Sequence, residues 1–486
     1  MRFTSLNDWL NWQETLNPAE IDLGLDRVAM VLAQAGYSSR FDCPLITVAG
    51  TNGKGSTVAL LEAIAMAAGM NVCSYTSPHL KRYNERIKIN GVEIDDNSLC
   101  DAFACIDNAR GDVPLTYFEF GTLAAIELFF LQKPDLVILE VGLGGRLDAV
   151  NIMDADVSIL SSVAIDHVDW LGDDREKIGY EKAGVFRPGK TAICTDVSPP
   201  QSVLDKAKKL QCEYLQLGRD FTIVDTGSAG RWMLQTPLGD FDDLPPPALA
   251  GEFQKANAAS AILAMLKLFS ENNEISRTGM AIDRHILSRA LTTVILPGRF
   301  QQISHCPDVY VDIAHNPQAA QALVSQLLEV ASLQGCRSEL QTIEQDAEPS
   351  KTWAIVAMLK DKDCRAVLEA VSEAVDQWCL AGLEGVSRGM SVNDFVAAIP
   401  GVLGSGSSKR LSVEAVHDLQ QNKCTILNDK VMLARSVSAA CEAVIGRAGK
   451  ADRLIIFGSF YTVAEAMQYF LQPDNTSSDR KSRETI

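Results

Sequence analysis

The segment Gly50-Thr51-Asn52-Gly53-Lys54-Gly55-Ser56-Thr57 constrains this chain more than any other. It follows an apolar, β-branched run at 45–49 and opens a stretch at 57–68 in which Leu, Ile, Ala and Met recur at helical spacing before Gly69. A glycine-rich turn between a strand and a helix aims backbone N–H groups and the positive end of the helix dipole at one point, which makes a phosphate site. Lys54 adds a mobile cation, and the hydroxyl of Ser56 or Thr57 is available to phosphate or to magnesium. The spacing from Gly50 to Lys54 is shorter than in the common P-loop, so the segment points to nucleotide binding more firmly than to a motor or a GTPase.

The same alternation continues along the chain. Strand-like runs at 72–75, 136–139 and 157–163, with a helical stretch at 121–131, predict α/β layers around a mostly parallel sheet. Residues 191–244 hold mixed short runs ahead of Pro245-Pro246-Pro247, which predicts a small sheet or an irregular lobe. A second α/β series starts after Leu296-Pro297-Gly298, with strands expected at 309–312, 353–358, 378–381 and 454–457. Residues 334–351 and 401–409 read as surface loops, and the polar stretch 474–486 as a fraying tail. The expected domains are therefore 1–296, which carries the P-loop, 297–473, a smaller Rossmann-like α/β domain, and the tail.

Composition narrows the function classes. Lys and Arg number 44 against 62 Asp and Glu, a net charge of −18, so there is no cationic excess for broad nucleic-acid binding. The 12 cysteines are scattered without a CxxC pair, which predicts reduced thiols inside a cell rather than a disulfide framework. Residues 1–17 lack a basic segment followed by an apolar one, and the apolar run at 123–131 is too short to span a bilayer and contains Glu127. A cytoplasmic chain with neither membrane nor nucleic-acid partner is expected.

Two strand ends extend the phosphate site. The run 135–139 ends in Glu140, and 157–163 leads into Asp166-His167. Open α/β sheets bind ligands at the carboxyl ends of their strands, and Mg²⁺ takes a few protein oxygens together with phosphate and water. Alone, Glu140 reads as an ordinary strand-end acid on the surface and His167 as a structural histidine, and histidine is an unusual ligand for Mg²⁺. Beside a phosphate loop they become candidates for a metal–phosphate site.

The loop 50–57, Ser77-Pro78-His79-Leu80 with Asn84-Glu85-Arg86, and Glu140-Val141-Gly142-Leu143-Gly144-Gly145-Arg146-Leu147-Asp148 occur in the order found in folylpolyglutamate synthases. Asp166-His167, Glu181-Lys182-Ala183-Gly184, Pro297-Gly298-Arg299-Phe300, Asp312-Ile313-Ala314-His315-Asn316-Pro317 and Gly458-Ser459-Phe460 continue that order. Over nearly its whole length the chain resembles the bifunctional dihydrofolate synthase/folylpolyglutamate synthase family, within the Mur ligase superfamily.

The resemblance implies a P-loop ATPase domain that also binds a pterin, two Mg²⁺ ions and ATP. Gly53, Lys54, Gly55 and Ser56 match the triphosphate loop, while Ser77, Glu140 and His167 match magnesium ligands. Lys182 matches a lysine carried as a carbamate that holds a second Mg²⁺; the plain alternative is a helix-surface lysine paired with Glu181. Asn257, Arg299 and Asp312 match nucleotide contacts, the last two reaching over from the smaller domain. His315, on the same loop as Asp312, is equally suited to capping that loop and to direct contact. For the pterin the matching residues are Asp22, Leu23 and Gly24, then Thr116, Phe118 and Glu119, then Leu147, Asp148 and Ala149. A planar pterin wants an aromatic face and a carboxylate acceptor, which Phe118 and Asp148 would supply. In Gly251-Glu252-Phe253-Gln254 many relatives carry His where this chain has Phe253, so no contact is assigned to Phe253 and Gln254 is left uncertain.

The implied reaction is ATP-dependent amide ligation. The γ-phosphate activates the carboxylate of dihydropteroate, or of a reduced folate, as an acyl phosphate, and L-glutamate attacks it. Lys54, Lys182 and His167 carry the catalytic roles, and closure of the two domains would exclude water. The short stretch before Gly50 disfavours a cell-wall ligase with its extra UDP-binding domain. The alternatives are a folylpolyglutamate synthase lacking the first activity, a P-loop ATPase or kinase, and a nucleotide-binding regulatory module. A monomer is the default.

Overall fold

The computed structural model describes residues 2–19, 21–227, 230–271, 281–340, 350–398, 418–419 and 422–471. The chain divides into two units, Met1–Leu296 and Pro297–Ile486. Among the described residues no helix is long and apolar enough to cross a membrane.

In the first unit eight strands form one sheet: β1 (Leu45–Ala49), β2 (Val72–Tyr75), β3 (Ile87–Ile89), β4 (Val92–Glu93), β5 (Leu136–Glu140), β6 (Val157–Leu160), β7 (Thr191–Cys194) and β8 (Glu213–Gln216). Their order is β4-β3-β2-β5-β1-β6-β7-β8, parallel from β2 to β8, with β3 and β4 forming an antiparallel edge. Every residue of β1, β2, β5 and β6 is buried, which is why these strands read as unbroken apolar runs. Alternation still decides the faces. Leu45 and Ala49 join the core built on Trp9, Phe103 and Phe120, whereas Ile46 and Val48 join the core shared with Leu60 and Ile262.

Two expectations change here. β6 stops at Leu160, short of Val163, because Ser161 donates to the Asn52 carbonyl at 2.7 Å and the Ser162 hydroxyl accepts from the Asn52 amide at 3.0 Å. Residues 191–216 are no separate lobe but continue the main sheet as β7 and β8. Only β9 (Thr222–Asp225), β10 (Trp232–Gln235) and β11 (Phe241–Leu244) form a small antiparallel sheet.

The second unit carries β12 (Gln301–Ser304), β13 (Asp308–Asp312), β14 (Thr352–Val356), β15 (Gln377–Ala381), β16 (Cys424–Asn428), β17 (Val431–Ala434) and β18 (Arg453–Phe457). They are ordered β12-β13-β18-β14-β15-β17-β16, parallel except at the two edge strands. β12, β16 and β17 went unanticipated. The last two form a hairpin whose turn is held by the Asn428 side chain, which accepts from the amides of Lys430 and Val431. The helix Pro317–Leu340 runs through the first part of the expected 334–351 loop, since polar residues alone do not interrupt a helix. Residues 341–349, the 401–409 loop and the 474–486 tail lie outside the described residues.

One backbone contact positions the site. The Arg146 amide donates to the Glu181 carbonyl at 2.8 Å. A Cβ on Gly184 would fall 2.5 Å from Arg146 Cα, and one on Gly145 would fall 2.9 Å from the carbonyl oxygens of Glu181 and Lys182. Gly184→Ala is therefore expected to lower stability by about 2 kcal/mol. An unchanged urea midpoint would contradict this packing.

Candidate functional site

The loops leaving β1, β5 and β6 share one edge, because Val48 lies opposite Glu140 and Ala49 opposite Leu160 in parallel register. Gly50 has φ +149°, and a Cβ there would sit 1.9 Å from Ser161 Oγ. Gly53, at φ +91°, precedes the helix Lys54–Ala67 and has no side chain to cap its first turn, so that turn is presented to an anion. Lys54 Nζ donates to the carbonyls of Gly50 and Thr51 at 3.1 and 3.3 Å. The Thr57 hydroxyl donates back to Gly53 O at 2.9 Å, which commits its hydrogen within the helix, while Ser56 Oγ accepts from Gln254 Nε2 at 3.3 Å. Gly55 lies between Lys54 and Ser56 on the same first turn.

Lys182 ends the helix Arg175–Lys182, is 4% exposed, and donates from Nζ to Gly50 O at 2.9 Å. The alternative of a surface Lys182–Glu181 pair does not form: Glu181 binds Arg146 at 2.9 Å instead. Glu140 is buried at the end of β5 and accepts from the Ser77 amide at 3.2 Å, so these two segments meet. His167 has φ +52° and caps the short helix Val168–Leu171, with its amide on Asp166 Oδ1 at 2.8 Å. The strand end leading to it is tied to the phosphate loop by reciprocal bonds between Thr51 Oγ1 and the backbone of Ala164, at 3.1 and 3.0 Å.

A second group of residues surrounds the start of the helix Tyr117–Gln132. Thr116 caps it, accepting from the Glu119 amide at 3.3 Å, while Glu119 accepts from the Thr116 amide at 2.8 Å. Glu119 also binds Arg27, Nη2 to Oε1 at 2.7 Å, and Arg27 Nη1 reaches Asp22 at 2.7 Å. The polar atoms of Thr116 and Glu119 are thus committed to each other and to Arg27, which ties the 21–25 loop, with Leu23 and Gly24, to this helix start. Phe118 is half-buried, its ring 2.7 Å from where a Cβ on Gly142 would lie. Asp148 is buried, accepts from the amides of Leu143 and Val150 at 2.8 and 3.1 Å, and caps the turn Ala149–Ile152; Leu147 beside it is half-buried. Burial pushes the Asp148 carboxyl up to about 6, against the pull of those amides and of Lys54.

In the second unit, Asp312 ends β13 and accepts from the amides of Phe300 and Ala314 at 2.8 and 2.7 Å. Burial raises its carboxyl, opposed first by the Arg299 guanidinium, which lies 5.4 Å over the Phe460 ring. His315 Nδ1 donates to the Ile313 carbonyl at 2.8 Å, a contact of the loop-capping kind.

Residues 298–460 match the family described as Mur ligase, glutamate ligase domain. The dihydrofolate synthase/folylpolyglutamate synthase of Escherichia coli is 37% identical over 464 residues, 95% of each chain. The chain belongs to the dihydrofolate synthase/folylpolyglutamate synthase family. The Haemophilus influenzae member is 35% identical, covering 95% of this chain and 96% of its own. Among solved structures, Escherichia coli FolC in complex with DHPP and ADP matches with a TM-score of 0.79 at 36% identity, over 96% of this chain and 97% of that one. The bifunctional enzyme of Yersinia pestis complexed with AMPPNP and Mn ion matches at 0.78 and 38%, over 96% and 98%.

The residues present suit the nucleotide and cation of such a family member. A Cβ on Gly53 would lie 2.6 Å from Asn257 Oδ1, so the tight turn and the helix Phe253–Glu271 close on each other only with glycine there. Among the described residues no three or more His, Cys, Asp or Glu side chains gather into a metal cluster. Glu140 and the Ser77 turn, which do meet, offer a carboxylate and a hydroxyl of the kind a cation takes together with phosphate and water. Sequence reasoning assigned no role to Arg27, Gln254, His79 or Arg86. His79 Nδ1 accepts from Arg86 Nε at 2.9 Å, and burial together with Arg86 pushes this histidine down to about 4, so it is neutral beside the Ser77 turn. The signal for both was the motif that contains them, with no chemistry attached.

Asp148 yields a pH prediction. Its folded value, about 6, lies above its ordinary 3.8, so its contribution to stability is complete below about pH 4 and lost as pH rises through 6. Acceptance from a donor-rich ring needs the ionised form, so ligand affinity runs the other way. Binding of dihydropteroate is expected to weaken as pH falls through 6, and Asp148→Asn to abolish that slope. A titration flat across this range would refute the assignment. Arg27→Ala is expected to raise KM for dihydropteroate about tenfold with kcat little changed, as loss of the charge-assisted tie between Glu119 and the 21–25 loop predicts.

Proposed function

We propose that the chain is an ATP-dependent ligase that adds L-glutamate to dihydropteroate, forming dihydrofolate, and to reduced folates, forming folylpolyglutamates. The observation that carries this is the run 140–148. It begins with buried Glu140 at the end of β5 and ends with buried Asp148, which flanks Gly142 together with Phe118: a Cβ on Gly142 would lie 2.7 Å from the ring and 3.3 Å from Asp148 Oδ2. Beyond capping its own turn, an acid paired with an aromatic face here suits a planar ring rich in N–H groups, which a kinase or simple ATPase would not need to hold.

The substrate carboxylate attacks the γ-phosphorus of ATP, and ADP leaves. The glutamate amine then attacks the acyl carbon and phosphate leaves, closing the amide. Lys54 and the amides at Gly53 to Ser56 offset charge on the transferring group. A divalent cation held through Ser77, Glu140 and His167, with a second on a carbamate of Lys182, would supply further charge neutralisation. Asn257, Arg299 and Asp312 hold the nucleotide. Asp22, Leu23, Gly24, Phe118, Leu147, Asp148 and Ala149 hold the pterin, with Thr116 and Glu119 shaping its wall. A cytoplasmic monomer working on small molecules alone completes the reading, and the net charge of −18 supports the exclusion of nucleic acid.

Phosphate release, with dihydropteroate and L-glutamate supplied singly and together, tests it. Release is expected only with both, with dihydrofolate formed in equal amount. Release with glutamate and tetrahydrofolate but never dihydropteroate would reassign the chain as a folylpolyglutamate synthase alone, and release independent of glutamate as an ATPase. Lys54→Ala is expected to lower kcat at least about 100-fold; turnover within a few-fold of wild type would refute the mechanism.

A further inference from the structure

Behind the phosphate loop lies a chain of buried polar side chains whose middle member, Gln254, has no role in the sequence argument. Asn257 Nδ2 donates to Gln254 Oε1 at 2.9 Å, and Gln254 Nε2 donates to Ser56 Oγ at 3.3 Å. Gln254 is fully buried, Ser56 2% exposed and Asn257 5% exposed. Asn257 Oδ1 also lies against Gly53, 2.6 Å from where a Cβ would be. The three residues therefore link the helix Phe253–Glu271 to both the turn and the first helical residues of the phosphate loop.

A serine hydroxyl has one hydrogen to donate and two lone pairs. With one lone pair taken by Gln254, the rotor is held so that its hydrogen points away from the amide. The neighbouring Thr57 hydroxyl, bonded to Gly53 O, is not comparably available. The Gln254 amide is itself turned by Asn257, which donates to its oxygen and leaves its nitrogen toward Ser56.

We propose that Gln254 is a positioning residue for nucleotide binding: held by Asn257, it orients the Ser56 hydroxyl so that its hydrogen is offered to a phosphate oxygen. This rests on the ligase reading only in taking a nucleoside di- or triphosphate as the loop's ligand. A buried glutamine that only filled space between the two helices would leave ADP affinity unchanged on substitution.

Calorimetric titration of ADP, with and without Mg²⁺, separates the two. Ser56→Ala and Gln254→Met are each expected to weaken ADP about tenfold, the loss of one hydrogen bond to a charged group. The double variant should bind no more weakly than Ser56→Ala alone, because Gln254 acts through that hydroxyl. Gln254→Glu keeps the size but accepts the Ser56 hydrogen, so it too should weaken ADP about tenfold; it carries the test if the methionine variant does not fold. Dihydropteroate affinity should be unchanged in all. Wild-type ADP affinity in Ser56→Ala or in either Gln254 variant, or losses that add in the double variant, would overturn the proposal. Failure of the wild-type chain to bind ADP would instead overturn the ligase reading.

Discussion

The Gly50 carbonyl is the point on which the site depends. Lys54 and Lys182, far apart in the chain, both donate to it, at 3.1 and 2.9 Å. The two nitrogens so held are no more than about 6 Å apart, so a phosphate bound there would meet both, and a carbamate on Lys182 would put an anion beside Lys54. The arrangement requires bare backbone: Ser161 Oγ occupies the space of a Gly50 Cβ, and Asn257 that of a Gly53 Cβ.

Around this point the buried acids are each held by donors, as burial of charge demands. Glu140 takes the Ser77 amide, Asp148 takes two amides of its own loop, and Glu119 takes Arg27 and the amide of its own cap. The close backbone packing of 145–146 on 181–184 then couples the loop carrying Glu140 and Asp148 to the helix carrying Lys182. The cluster of Trp9, Trp12, Phe103 and Phe120, with ring centroids 5.6 to 6.4 Å apart, anchors the helix that presents Phe118. Phe118 thus sits two residues before Phe120 on the same helix, a ring packed into that aromatic core.

Much of this was legible along the chain. β1 and β2 occupy the residues their apolar runs mark, and Gly69, at φ +85°, stands past the end of the phosphate-loop helix. What failed were inferences from composition. The polar residues 334–340 are helical, and the weakly patterned 191–216 supplies two strands of the main sheet. Polarity reports contact with water, whereas backbone state follows from hydrogen bonding, and the two part company at sheet edges and on exposed helices.

The sequence by itself determined the phosphate loop, the order of α/β elements and the family, because a glycine-rich turn between an apolar strand and a helix is local chemistry, and motif order is a property of the chain. It also marked Glu140, Lys182 and Asp148. Only the tertiary structure decided what those groups touch. It turned Lys182 from Glu181 to Gly50, paired Glu119 with Arg27, and placed Gln254 behind Ser56, 198 positions away. Such partnerships join residues distant in sequence, and their direction is set by which backbones can approach closely, which no local pattern encodes.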